Sequence, residues 1–323
     1  MTIPRRRFLR LAAGAAALPA AARLAGAQTF PARPVHMVVG FPAGNAPDII
    51  ARLIGDALSA RLGQPVIVEN RPGAGSTIAS EAVGNAAPDG YTVMMVVLSN
   101  AINASLYPNL RYDFGRDFAH VAGICNAPYV LVINPAVPAN TVAEFIAYAK
   151  ANPGKINFAS GGTGTTTHVF GEFFKMLTKV DLVHIPYRSN YMPDLLANQI
   201  QAVFMPIPQA MEQVRAGKLR ALGVSTAARL TALPDVPTIS ETVPDYVATG
   251  WYGLSAPKST PPEIVDRLNA AVGAALADPK VVERLASLGV DPMPMRPAEF
   301  KAFIDRDTEK WAKVIKYASI KPE

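Results

Sequence analysis

The feature that most constrains this chain is an alternation. Short β-branched or apolar runs are followed repeatedly by segments whose apolar residues recur at helical spacing. Val35–Val39 is the first such run, and Ile49, Ile50, Leu53, Ile54, Ala57, Leu58 and Leu62 then repeat on one helical face until Gly63 stops it. Residues 65–69 (PVIVE) read as a second strand, 71–75 as a tight loop and roughly 77–86 as a small-residue helix. Pro88-Asp89-Gly90 marks a turn before the buried run 91–98, which ends at Ser99-Asn100. Strand, helix, strand, helix, strand at this spacing specifies a parallel sheet covered by helices.

A second series begins beyond residues 118–134, which read as extended runs broken at Asn126-Ala127-Pro128. Thr141 and Glu144 form a capping-box start for a helix to about residue 152. Strands at 156–159, 182–185, 201–205 and 219–225 then alternate with helices at 169–177, around Leu195–Ala197, and at 208–216. Residues 248–255 read as extended again. Thr260-Pro261-Pro262-Glu263 opens a helix, and a last long helix carries Phe300, Phe303, Ile304, Trp311, Val314 and Ile315. Two C-terminal helices without a new strand need a sheet to cover, and the first series has too few helices of its own. The chain is therefore expected to return to the first unit near Gly250. The expected architecture is α/β with mostly parallel sheets in two lobes, residues 28–125 with 252–323 and residues 126–251. Two crossings, near 122–133 and 248–256, would let such lobes close on a hinge.

Composition agrees with a folded two-domain chain: 323 residues, half of them hydrophobic and only 17% charged, which excludes long disorder. Residues 1–27 do not belong to that fold. Arg5, Arg6, Arg7 and Arg10 precede a mildly apolar, Ala-rich run, and Ala25-Gly26-Ala27 forms a small-residue cleavage site that would leave Gln28 first. Arg6-Arg7-Phe8-Leu9-Arg10 is similar to a twin-arginine (Tat) export signal; an ordinary secretory signal with extra arginines is the alternative. The apolar run is too short for a membrane anchor. These residues hold five arginines and no acid, so the formal charge falls from +6 to +1 without them, and nucleic acid is not an expected partner. Cys125 is the only cysteine, which excludes an intrachain disulfide and favours a buried thiol.

In parallel α/β units, ligands sit beyond the C-terminal ends of strands. Residues 41–48 (FPAGNAPD), 70–77, 99–103, 160–168 (SGGTGTTTH) and 186–191 (PYRSNY) meet that condition. Gly44 and Asn45 are residue types that tolerate positive φ, Pro47 suits a first helical turn, and Asp48 there would either complement the helix dipole or bond a ligand. Three glycines and the Ser/Thr hydroxyls of 160–168, placed before a helix, suit a carboxylate or phosphate; ordinary capping by Thr165 or Thr166 is the alternative. Phosphate-loop, nucleophile-elbow and dinucleotide fingerprints are absent. His36, His120, His168 and His184 are scattered, so neither a metal nor a cofactor is expected. His168 reads as a helix-face histidine bonded to backbone rather than a general base. Trp251 and Tyr252 read as packing at the second crossing rather than as a stacking platform.

These stretches form an ordered series: 41–44 (FPAG) with Asp48 and Ala51-Arg52, 68–75 (VENRPGAG), 87–91 (APDGY), 106–108 (LYP), Asp117-Phe118, 153–155 (PGK), 184–187 (HIPY), 216–222 (AGKLRAL), 233–238 (LPDVPT) and 250–254 (GWYGL). The series resembles Bug-type substrate-binding proteins of the tripartite tricarboxylate transporter system, across the whole chain after the signal. The resemblance implies a periplasmic receptor of Venus-flytrap form that pinches a small organic carboxylate and delivers it to an integral-membrane permease. It would act as a monomer. Carried over, one jaw is Phe41, Ala43, Gly44, Asn45 and Asp48, the other Ser160, Gly162, Thr163, Thr165 and Thr166, with Ser99 and Tyr187 as walls. The chain departs from the family pattern at Asn45 (commonly Gly), at Arg188-Ser189 (commonly Lys-Gly), and at Gln201 and Met205, where acids are common. The loop after 91–98 and the segment between Tyr187 and Asp194 each look about two residues short. Arg188 would suit an anionic or aromatic tail, or face solvent. Two other outlets are weighed: a receptor signalling to a sensor kinase, and an exported hydrolase using Ser160 or Ser99 with His168.

Overall fold

The computed structural model describes residues 30–187, 190–230 and 233–321. The expected export signal and its cleavage site, and Arg188 with Ser189, lie outside the described residues. The first series forms β1 (Val35–Val39), α1 (Ala46–Leu62), β2 (Val66–Asn70), α2 (Thr77–Gly84), β3 (Thr92–Val97) and α3 (Leu98–Leu106). Next come β4 (Phe118–Ala127) and β5 (Tyr129–Ile133), with only Pro128 between them. The second series forms α4 (Val142–Ala151), β6 (Ile156–Ser160), α5 (Thr166–Thr178), β7 (Leu182–Pro186), α6 (Met192–Leu196), β8 (Ala202–Pro206), α7 (Ile207–Arg215) and β9 (Arg220–Val224). The chain closes with β10 (Gly250–Pro257), α8 (Pro262–Leu276), α9 (Pro279–Ser287), β11 (Asp291–Met295) and α10 (Pro297–Ala318).

Two sheets result, in the orders β11-β4-β10-β3-β1-β2 and β7-β6-β8-β5-β9, with one lobe around each. β1 runs parallel to β2 and β3, and β6 runs parallel to β7 and β8, as the alternating pattern requires. The other pairings are antiparallel, so the sheets are mixed rather than mostly parallel. The reason lies at the crossings. β5 and β10 enter their sheets without a covering α-helix directly before them, and only a parallel neighbour needs that crossover.

Pro128 has no N–H to continue a ladder, and the chain changes sheet there. The return strand lies beside it, because Gly250 pairs with Ala127 in the first sheet. Ser225 links the strands across the junction: its N–H donates to the Tyr129 carbonyl (2.8 Å) and its hydroxyl accepts from the Tyr129 N–H (3.1 Å).

Two further sequence readings are corrected. The C-terminal segment holds three helices and an edge strand, not two helices alone. β11 was hidden by its two prolines, which its position tolerates: it pairs only with β4, irregularly. Residues 99–103 are not a loop, because β3 runs directly into α3. Cys125 is buried in β4, and burial pushes its thiol pKa well above the ordinary value.

The last helix joins the two lobes from outside the cleft. α10 packs on α3 of one lobe and α5 of the other. Trp311 is fully buried there, stacked on Phe170 (5.1 Å, 16°) and edge-on to Phe173 (5.8 Å). Lys310 lies over the same rings and donates to the Val247 carbonyl just before β10. Replacing Trp311 by Ala removes this inter-lobe contact and should cost about 3–5 kcal/mol in urea unfolding; a loss below about 1 kcal/mol would show that the α10–α5 contact does not hold the lobes together.

Candidate functional site

Residues at or just beyond the ends of β1, β3, β6, β7 and β8 line a single cleft of about 810 Å³ between the lobes. Its floor is built from the crossing segments, including Ala127, Tyr129, Gly250 and Trp251.

In the first-lobe jaw, Phe41 and Asn45 line the cleft, while Ala43 and Gly44 are exposed on the loop but outside its lining. Gly44 takes φ +82°, as its residue type allows. Asn45 does not: it is the extended N-cap of α1 (φ −76°), and its side chain caps no helix N–H. Asp48 is 2% exposed and faces away from the cleft into four donors. They are the Gly44 N–H (2.8 Å), the Asn70 amide (2.8 Å) and two bonds from Arg52 (2.8 and 3.0 Å). Burial alone would raise its pKa; the bonds from Arg52, Gly44 and Asn70 outweigh this and hold it below the ordinary value. Asp48 is bonded by the protein and ties the loop to α1 and β2, and in the first turn of α1 it complements the helix dipole, the first of the two alternatives from sequence. Asn70 also bonds the Phe41 carbonyl (3.0 Å), so the 70–77 loop supports the jaw without lining the cleft.

In the second-lobe jaw, Thr165 and Thr166 line the cleft, with Gly161 and Thr167, whereas Ser160, Gly162 and Thr163 do not. The glycine N–H groups expected to face an anion are spent inside the loop. Gly161 donates to Thr167 Oγ1 (3.0 Å), Gly162 to Ser160 Oγ (3.1 Å) and Gly164 to His168 Nδ1 (3.0 Å). What the loop leaves open is the start of α5, whose N-cap Thr165 turns its hydroxyl back to the Gly162 carbonyl (2.7 Å) and caps no helix N–H.

Ser99 lines the cleft from the first turn of α3, and Tyr187 from the segment after β7. The Tyr187 hydroxyl donates to Asp194 (2.6 Å), and that carboxylate pushes its pKa up to about 12. Sequence reasoning missed Gln209, Glu212 and Gln213, which share one face of α7, and Tyr191, whose hydroxyl donates to Gln209 (3.2 Å). The signal for α7 was present: a helix directly after β8 with polar residues at i, i+3 and i+4. Tyr129 gave none, because it starts its strand instead of ending it. Gln201 and Met205, where the chain departs from the family pattern, do not line the cleft. Gln201 accepts from the Asn157 N–H at the far end of β8, and Met205 is buried in the sheet. Trp251 lines the floor but is only 1% exposed, and its ring N–H donates to Asp307 (2.7 Å), as expected of packing.

The electrostatics come from helix ends. α1, α3, α5 and α7 all begin at the cleft. First-turn N–H groups have no partner within their helix, and aligned peptide dipoles make that end positive. Among the described lining residues there is no Lys, Arg or His, and Glu212 is the one ionised side chain. Among the described residues no cluster of His, Cys, Asp and Glu could hold a metal ion. A hydrolase geometry is not assembled: Ser160 is fully buried and pairs with His184 (2.6 Å), while His168 spends Nδ1 on Gly164.

The family model for the tripartite tricarboxylate transporter family receptor matches residues 50–320. Three solved structures are similar. A Rhodopseudomonas palustris protein with adipate is 32% identical, with TM-score 0.82 over 91% of this chain and 100% of that one. The periplasmic binding protein BugD is 33% identical, with TM-score 0.80 over the same shares. The protein MatC of R. palustris with bound malate is 33% identical, with TM-score 0.79 over 88% of this chain and 100% of that one. The chain belongs to the tripartite tricarboxylate transporter receptor family, and its two-lobed fold is that of its periplasmic binding proteins.

Two buried histidines make the fold acid-sensitive. Burial lowers His168 to about 3, helped by the neighbouring His184 and Lys175, and lowers His120 to about 4, with Lys301 adding to it. Both are neutral in the folded protein at pH 7, so nothing is lost at or above that pH. Below about pH 6.5 the unfolded chain binds protons that the fold refuses. Urea unfolding should therefore show about 2 kcal/mol lost per histidine between pH 7 and pH 5, and His168→Asn should remove one share. Equal slopes for the two proteins would contradict this.

Proposed function

We propose that this member of the transporter receptor family binds a small organic carboxylate in the inter-lobe cleft and delivers it to a membrane permease. The carrying observation is four helix N-termini converging on a cleft whose described lining has no cationic side chain. Such a site recognises an anion through backbone N–H groups and helix dipoles. Charge-assisted hydrogen bonds are the strong class, and the cleft adds apolar contact from Phe41 and Leu98. The proteins bound to adipate and malate support a dicarboxylate or a hydroxy-carboxylate.

In this reading the lobes are residues 28–125 with 252–323 and residues 126–251, closing about the paired crossings. The ligand-contacting set is Phe41, Asn45, Ser99, Thr165, Thr166 and Tyr187, joined by Tyr191, Gln209 and Gln213. Ala43, Gly44, Asp48, Ser160, Gly162 and Thr163 shape the jaws behind them. Residues 1–27 direct export, with twin arginines, and are removed after Ala27. The closed form is what the permease recognises, and no chemistry is performed on the ligand.

A thermal-shift screen of malate, adipate and aromatic carboxylates tests the reading. A carboxylate at about 100 times its Kd should stabilise by about 2.7 kcal/mol, which raises Tm by several degrees. If none of them moves Tm, the carboxylate reading fails.

Closure has its own test at Gly164. It sits at φ +76°, and a Cβ there would lie 2.1 Å from Leu106 Cδ2 of the other lobe. Gly164→Ala should weaken malate or adipate binding about tenfold or more, through backbone strain and collision. Adding Leu106→Ala should restore the steric share. Unchanged affinity in the single variant would show that the lobes do not meet at this point in the bound form.

A further inference from the structure

Two imidazoles lie beneath the second-lobe jaw, and the proposed function leaves them without a role. His168 in α5 and His184 in β7 stack face to face, with centroids 3.5 Å apart and planes 7° apart. Phe158 of β6 packs beside them, 5.1 Å from His184. Each ring holds a different part of the loop. His168 Nδ1 accepts the Gly164 N–H (3.0 Å), and His184 Nε2 pairs with Ser160 Oγ (2.6 Å), which also accepts the Gly162 N–H (3.1 Å).

We propose that His168 and His184 act as one positioning unit: a stacked imidazole pair that fixes both ends of the turn at residues 160–164 and so sets where the N-terminus of α5 points. The proposal rests on the carboxylate reading of the cleft, because that helix start is one of its four anion-facing ends.

The chemistry constrains both rings. A backbone N–H only donates, so His168 Nδ1 carries no proton and its proton sits on Nε2. That Nε2 lies 3.8 Å from the Glu172 carboxylate, which is held by Lys175 (2.8 Å). Protonating His168 would eject the Gly164 N–H, and charging both rings would place two cations face to face. The groups around the pair are Ser160, Phe158, Glu172 and Lys175. Glu172 favours a proton on His168; Lys175, the buried setting and the second ring oppose it. The loop therefore keeps its shape only while the pair stays neutral.

The test combines two readouts on the full mature chain. Imidazole ¹⁵N shifts of the ligand-free protein should show His168 with Nδ1 bare at pH 7 and still bare at pH 5. Calorimetry with malate and adipate should show the pair His168→Leu/His184→Leu weakened about 30-fold. The isosteric pair His168→Asn/His184→Gln keeps acceptors at the two contact atoms. It should bind within about threefold of the unsubstituted protein. Should the leucine pair not fold, Ser160→Ala takes its place, with about tenfold weaker binding expected. A protonated Nδ1 on His168 at pH 7 would overturn the proposal. So would an isosteric pair as weak as the leucine pair, or a leucine pair within twofold of the unsubstituted protein. If the unsubstituted protein binds neither malate nor adipate, the carboxylate reading fails, and the ¹⁵N data alone still decide the role of the pair.

Discussion

A helix cannot satisfy its own first turn, and this protein starts four helices at one place. First-turn N–H groups have no partner within their helices; in α7 that of Ile207 donates to the Pro128 carbonyl, Pro47 and Pro208 have none to offer, and the N-cap side chains of α1 and α5 cap nothing. Asn45 and Thr165 are residue types that normally cap, yet neither side chain does so. Leaving such donors open has a stability cost of about 1 kcal/mol per absent cap. A folded protein accepts that cost at a site where something else will supply the oxygen.

The loops around these ends are built on the opposite rule, with their glycine N–H groups matched. Gly44 bonds Asp48, and Gly161, Gly162 and Gly164 bond Thr167, Ser160 and His168. Asp48 is itself held by Arg52 and Asn70. The two jaws therefore share a plan despite unrelated sequences. A buried acceptor behind the loop binds a glycine N–H, rigidifies the turn and aims the helix that follows. In one jaw the acceptor is a carboxylate, kept ionised by Arg52. In the other it is an imidazole that burial, with His184 and Lys175 beside it, keeps neutral.

Much of this was legible in the sequence. Periodicity found the strand–helix units, and the break at Asn126-Ala127-Pro128 marked where β4 passes into β5. Strand-end reasoning found Phe41, Asn45, Thr165, Thr166 and Tyr187. It failed in two physical situations. One was chemistry inside a loop: glycine-rich composition shows that backbone can approach an anion, not whether its N–H groups are already spent, and those of residues 161–164 are. The other was antiparallel entry. Tyr129 reaches the cleft from the start of its strand, and β11 survives its prolines only because it is an edge, a position fixed by topology and not by local sequence.

The division of labour between helix ends and side chains also bears on how ligand choice is made. In the proposed reading the anion-facing ends are backbone, so substitution barely changes them, and they would recognise a carboxylate group whatever it is attached to. Choice among carboxylates must then rest on side chains that reach past that group. Asn45 is one of these: a polar, exposed side chain at the mouth, free of capping duty. The α7 face is the other. Gln209 is partly engaged by Tyr191, Gln213 buries an amide oxygen that has no hydrogen-bond partner, and Glu212 adds a negative charge beside them. These side chains give the cleft a polar wall on α7, and a carboxylate placed against Glu212 meets like charge.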